Sequence, residues 1–210
     1  MISFASQMQD LFVYYLIGDD GYFLDFGCWM PEHCNNTKML EDAGWSGLLF
    51  DSDPRAITAC NNVRKSKAFC TRILSEEFKE KFIANLKQKD VDYVSIDIDF
   101  DSLELLEYLV ESGVVFKCLT FEHNFYNQGD KYKQPATKLL EKAGYKCLYE
   151  NIITIPIHCA ESMRLYPDGQ KLEDWWVNPA FFEEDLFKLC RKDIHFKDAI
   201  KLLKEHRSIS

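Results

Sequence analysis

The groups able to do chemistry in this chain are gathered where apolar runs end. Asp25-Phe26-Gly27, Asp51-Ser52-Asp53, Asp97-Ile98-Asp99 and Glu122-His123-Asn124 each follow such a run. Packing alone does not account for acids at these places, because a carboxylate that leaves water without a partner costs desolvation energy. A carboxylate can accept from both hydroxyls of a ribose, act as a general base, or help to hold a hard divalent ion. Asp51 suits the first task. Asp97, Asp99, Glu122 and His123 are candidates for a catalytic group that removes a hydroxyl proton, although donation to a neighbouring carboxylate is an equally ordinary role for His123. Asp97, Glu122 and Asn124 would be the oxygen donors for Mg²⁺ or Mn²⁺ if the reaction used a metal.

The runs before these clusters are short and alternate with amphipathic stretches. Strands are expected at 22–26, 47–50, 68–70, 92–98, 114–122, 146–156 and 174–178. Helices are expected at 37–44, 54–65, 76–88, 103–111, 135–144, 181–191 and 196–206. Strand and helix in alternation give a mostly parallel sheet covered on both faces, with seven strands in a single α/β domain over residues 1–210. In such a sheet, ligands bind outside the carboxyl ends of the strands, where the acidic clusters lie. An irregular insertion is expected from residue 157. It would form a lid over about 157–182, with Arg164, Tyr166 and Asp168 as polar contacts and Trp175, Trp176, Phe181 and Phe182 as either core or ligand platform.

Composition narrows the function classes. The chain has 210 residues, 47% hydrophobic and 28% charged, enough to bury a core without cross-links. A formal net charge of -9 argues against a nucleic-acid partner, which needs clustered Lys and Arg. The eight cysteines form no C-x-x-C pair, so free thiols are expected rather than a zinc site or a disulfide framework. The N-terminal stretch has no basic region followed by a cleavage site, and its apolar run at 11–17 is too short to span a bilayer. A cytoplasmic protein without a membrane span is the expectation.

Six segments in order, SQMQDLFV, GYFLDFG, NNTKMLEDAGWSGLLFDSDP, VDYVSIDIDFDSLELLEYL, FEHNFY and LEDWWVNP, resemble the FkbM-type methyltransferases from about Ser6 to Pro179. That family is a class I, S-adenosylmethionine-dependent group that often methylates sugar or polyketide hydroxyls. The resemblance implies a Rossmann-like methyltransferase sheet and an O-methyltransferase acting on a small-molecule or glycan acceptor. It further implies a cofactor site with Asp25, Gly27, Cys28 and Asn36 at the methionine end and Asp51 on the ribose. Ser52, Arg72 and Ile73 would lie around the adenine, Asp97 beside the sulfonium, and Gln9 would close over the site.

Two segments depart from the family pattern. D-x-G-A-x-x-G becomes Asp25-Phe26-Gly27-Cys28-Trp29-Met30-Pro31, and D-I-D-G becomes Asp97-Ile98-Asp99-Phe100. A non-catalytic Rossmann-fold binding or scaffold protein is the alternative reading. A nicotinamide-dependent oxidoreductase is disfavoured, because it expects G-x-G-x-x-G after the first strand.

Overall fold

Apolar residues alternate along the strands and so supply two cores, one on each face of a single sheet. In the computed structural model, which describes residues 2–155, 164–166 and 168–208, the described strands run in the order β3-β2-β1-β4-β5-β7-β6-β8. β1 (Tyr22–Phe26), β2 (Ser46–Asp51), β3 (Lys67–Cys70), β4 (Asp90–Ile96) and β5 (Val115–Glu122) are mutually parallel. β7 (Gln170–Val177) is antiparallel to β5 and to β6 (Lys146–Thr154), and β8 (Arg191–His195) lies parallel to β6 at the edge.

Period-two alternation sends Leu24, Phe26, Phe50, Ile96 and Phe121 to one face. There they meet Phe78 and Phe82 of α4 (Glu76–Asn85), Leu105 and Leu109 of α5 (Ser102–Glu111), and Leu140 of α7 (Asp130–Lys142). Phe23, Leu49, Tyr93 and Trp175 face the other way. They pack on α1 (Gln9–Leu16), α2 (Lys38–Ala43), α3 (Pro54–Val63) and α8 (Phe196–Arg207). A further short helix, α6 (Phe125–Gln128), precedes α7.

Three sequence expectations change. The sheet has eight strands among the described residues rather than seven, because 191–195 pairs along the free edge of β6. The helix expected over 181–191 is replaced by 3₁₀ turns at Pro179–Phe181 and Glu184–Leu189, the first capped by Asn178 Oδ1 accepting from Ala180 N–H at 3.1 Å. The lid expected at 157–182 falls partly outside the described residues, and its C-terminal half is strand β7, with Trp175 and Trp176 buried in the cores. Trp175 packs on Phe12 in a tilted arrangement with ring centroids 4.6 Å apart, and it is fully buried, with no free face for a ligand.

The carboxyl ends of β1 and β4 meet at Gly27. Its φ is +86°, and a Cβ there would lie 1.8 Å from the Asp97 carbonyl oxygen. The glycine is therefore demanded by the neighbouring strand, and this contact fixes Asp97 beside β1. Gly27→Ala is expected to cost about 3 kcal/mol or more, read as a lower urea midpoint at unchanged m-value.

Candidate active site

At the carboxyl ends of the strands the chain forms a cleft of about 990 Å³. That is the upper part of the range for small-molecule sites. Its walls include Asp51 at the end of β2 with Ser52 and Asp53 after it, Arg72 and Ile73 after β3, Asp97 to Asp101 after β4, and Glu122 at the end of β5. Ser6 and Gln7 close it from the N-terminal arm, Trp29 and Cys34 from the β1–α2 loop, and Leu172 from β7. The lining carries many more carboxylates than cations, and Arg72 itself lies 3.9 Å from Asp101.

Asp51 is oriented by backbone. Its Oδ2 accepts from Trp29 N–H at 2.9 Å and its Oδ1 from Asp53 N–H at 2.8 Å. Each oxygen keeps acceptor capacity, so the carboxylate can take two vicinal hydroxyls without moving. Trp29, Cys34 and Asp101, all lining the cleft, adopt left-handed backbone at φ 45°, 50° and 65°. Strained non-glycine residues of this kind cluster at ligand sites, where the surrounding structure holds them in place.

Asp97 and Glu122 line the cleft side by side, near enough for their carboxyl groups to interact. Two carboxyl groups so close resist being ionised together. Burial and the Asp97 carboxyl push Glu122 up to about 11, while Asn124 opposes the shift by donating to it. Asn36 steadies the pair from beneath, its Nδ2 donating to Ser95 Oγ at 3.0 Å and to Asp97 Oδ2 at 3.3 Å.

Below the cleft floor lies Asp25, fully buried. Its Oδ2 accepts from Thr37 Oγ1 at 2.7 Å, and its Oδ1 has no hydrogen-bond partner. Burial raises it to about 6, opposed by Thr37 and the Arg64 charge. Arg64, also buried, binds Glu41 at 3.0 Å, Asn35 at 2.9 Å and Thr37 at 3.1 Å, and so frames the β1–α2 loop.

Of the expected cofactor contacts, Gly27, Asp51, Ser52, Arg72, Ile73 and Asp97 line the cleft. Gln9, Asp25, Cys28 and Asn36 do not, and each is engaged below it. Gln9 bonds Gln7 and Glu173; Cys28 is 1% exposed, its thiol on Cys60 and its N–H on the Phe50 carbonyl. The Gly27 N–H is also taken by Phe50, so this loop offers the ligand its shape rather than its donors.

Among the catalytic candidates, Asp97, Asp99 and Glu122 line the cleft and His123 does not. His123 is buried, its Nδ1 accepting from Phe125 N–H at 3.2 Å, which leaves the ring proton on Nε2, 3.1 Å from Asp174 Oδ1. That contact is too poorly angled for a hydrogen bond, and Asp174 Oδ1 instead accepts from Asn151 N–H at 2.6 Å. Among the described residues, no group of three or more His, Cys, Asp or Glu side chains is arranged to hold a metal ion. The set Asp97, Glu122 and Asn124 contains only two carboxylates, and no step is assigned to a metal.

Sequence reasoning missed Glu173. It is a fully buried carboxyl in β7, directly across the ladder from Glu122, and a carboxylate pair inside the apolar run LEDWWV was the available signal.

No family model matches the sequence, and comparison with curated proteins likewise finds no match. Solved structures do match. WbdD, in co-crystal with a kinase inhibitor, aligns with a TM-score of 0.52 and 15% identity over 82% of this chain, which spans only 40% of that protein. A TehB-like SAM-dependent methyltransferase from Corynebacterium glutamicum aligns with a TM-score of 0.51 and 13% identity, over 81% of this chain and 87% of that one. A putative rRNA-methylase from Clostridium thermocellum gives 0.52 and 12%, over 84% and 97%. The fold is the Rossmann-like methyltransferase fold. No helix among the described residues is long and apolar enough to cross a membrane.

Asp25 yields a pH test. Its folded value of about 6 lies above the ordinary 3.8, so the folded state holds the proton more tightly and stability falls as pH rises through that window. Asp25→Asn keeps an acceptor for Thr37 and removes the titration. Urea unfolding is expected to find it gaining on the native protein by about 3 kcal/mol between the two ends of the window.

Proposed function

We propose that the chain is an S-adenosylmethionine-dependent O-methyltransferase of the FkbM type, acting on a hydroxyl of a sugar or glycan. The observation that carries this reading is the Asp97 and Glu122 carboxyl groups lining one cleft in which Asp51 holds two open acceptor positions. When bound, the cofactor supplies a methyl carbon activated by a sulfonium.

The protein's part is to orient and to accept a proton. Asp51 takes the ribose hydroxyls, with Ser52, Arg72 and Ile73 around the adenine. Asp97 accepts the acceptor's proton and Glu122 tunes it. Asp99 stands at the mouth, and His123 orients the end of β5 from behind. Gln9, Asp25, Cys28 and Asn36 support these positions from below.

Electrostatics support the donor and narrow the acceptor. A cleft dominated by carboxylates attracts a cation and repels phosphate, which favours a sulfonium-bearing donor and a neutral acceptor over nucleic acid. A cytoplasmic setting, where such donors and acceptors are at hand, fits the reading. A scaffold without turnover would have no use for an acid pair that retains a proton at the cleft surface.

Calorimetric titration with S-adenosylmethionine is the first test, and saturable binding is expected. Asp51→Ala should weaken it by about 3 kcal/mol, roughly a hundredfold, since two hydrogen bonds to a charged acceptor are lost. Unchanged affinity would remove the ribose assignment.

Transfer of labelled methyl should then appear on glycans or free sugars with an open ring hydroxyl, and not on DNA, RNA or peptide. Asp97→Asn is expected to lower turnover by about a hundredfold or more while the cofactor still binds. Methylation of a nucleic acid or peptide under the same conditions would overturn the acceptor class.

A further inference from the structure

Glu173 is buried at the end of the sheet with neutral partners only. Its Oε1 accepts from Trp175 Nε1 at 2.8 Å, and the Gln9 side chain meets it from α1. Across the ladder stands Glu122, whose carboxyl interacts with that of Asp97. Three carboxyls thus meet at the cleft wall, Asp97 and Glu122 lining it and Glu173 buried behind them, and they cannot all be ionised together at such short range in a desolvated place.

The surrounding charges do not relieve them. Asp25 lies near Asp97 from β1, Glu122 and Asp99 each lie close enough to Tyr126 to act on its hydroxyl, and Asp174 adjoins Glu173 on β7 with His123 behind it. Tyr93 approaches Glu173 from β4, and Arg72, the cation of the cleft lining, is 3.9 Å from Asp101.

Resting on the methyl-transfer reading, we propose that Asp97, Glu122 and Glu173 form a proton-holding trio in which Glu173 is the positioning residue. The trio gives up a proton when a cation occupies the adjoining end of the cleft, and takes one back when that charge is consumed. Burial and the nearby Asp97 charge raise Glu173 to about 8, opposed by Trp175 and Gln9, so its proton is the one poised to leave near neutral pH.

The trio keeps the charge of the site balanced through the transfer. The acceptor O–H bond breaks and its proton passes to the trio as the new O–C bond forms. The C–S bond breaks with its electron pair left on sulfur, which becomes a neutral thioether. One positive charge and one carboxylate charge vanish together, so no proton has to reach solvent during the step.

The test uses the full chain without turnover. S-adenosylmethionine and, separately, S-adenosylhomocysteine are titrated calorimetrically near neutral pH in two buffers of different ionisation heat, which counts the protons exchanged. About one proton released per S-adenosylmethionine is expected, and less than about a third of that for the homocysteine product, which lacks the sulfonium charge. Glu173→Gln keeps the oxygen that accepts from Trp175. It should still bind S-adenosylmethionine, about tenfold more weakly because the coupled proton release no longer favours binding, and should lose most of that release, which Glu173→Asp should restore in part.

Equal release with both ligands, or full release from Glu173→Gln, would overturn the trio. So would release of the same proton by Mg²⁺ alone, which would make the cluster a metal site. Binding without proton release removes this proposal and leaves methyl transfer standing, whereas a complete failure to bind S-adenosylmethionine removes both.

Discussion

A single buried guanidinium holds the frame of this molecule. Arg64, at the end of α3, is sealed from solvent and reaches Glu41 of α2 together with Asn35 and Thr37 of the loop before it. Burial alone would raise Glu41, but Ser66, Arg64 and the N–H groups of Lys65 and Ser66 hold it below its ordinary value. Breaking such a pair leaves an uncompensated buried charge, at about 3–5 kcal/mol. The loop it fixes carries Trp29 and Cys34 into the cleft wall, and Thr37 is the donor that meets Asp25.

From that frame the acidity of the site follows. The buried positive charge is spent beneath the floor on Glu41, so it does not reach the Asp97–Glu122 pair above. Gly27 brings the β4 end against β1, Asn36 fixes Asp97, and antiparallel β7 adds Glu173 opposite Glu122. Each contact is ordinary backbone or amide chemistry. Their sum is a cleft in which protons are retained by confinement rather than by counter-ions.

The strand ends were legible in the sequence because two local signals coincide there: period-two apolar runs, and a carboxylate where the run stops. Asp51, Asp97 and Glu122 could be placed on that basis. The pattern was silent on partners. Asp25, Cys28, Asn36 and His123 look like their neighbours in sequence, and only the tertiary contacts turn them inward, toward Thr37, Cys60, Ser95 and Asp174. Residues 191–195 carry Arg, Lys and Asp, and no strand is expected there. They become a strand because the edge of β6 offers unpaired backbone groups, a non-local effect. The helix expected over 181–191 gives way to tighter turns in which Leu186 joins the core while Phe182, Phe187 and Leu189 pack only partly buried against it.

That eighth strand also governs how the molecule behaves in a crowd. β6 is nine residues long, rich in Ile, Leu and Tyr, and would otherwise end the sheet with an open ladder. β8 covers it with five residues, the first three exposed and charged, and Asp193 turns left-handed at φ 54°. At the opposite margin β3 is only four residues long, and Lys67 there is exposed. Short, charged and kinked margins are poor templates for strand addition. The C-terminal segment therefore acts as a guard against self-association, and a chain cut after Cys190 would bare the long edge of β6 to the next molecule.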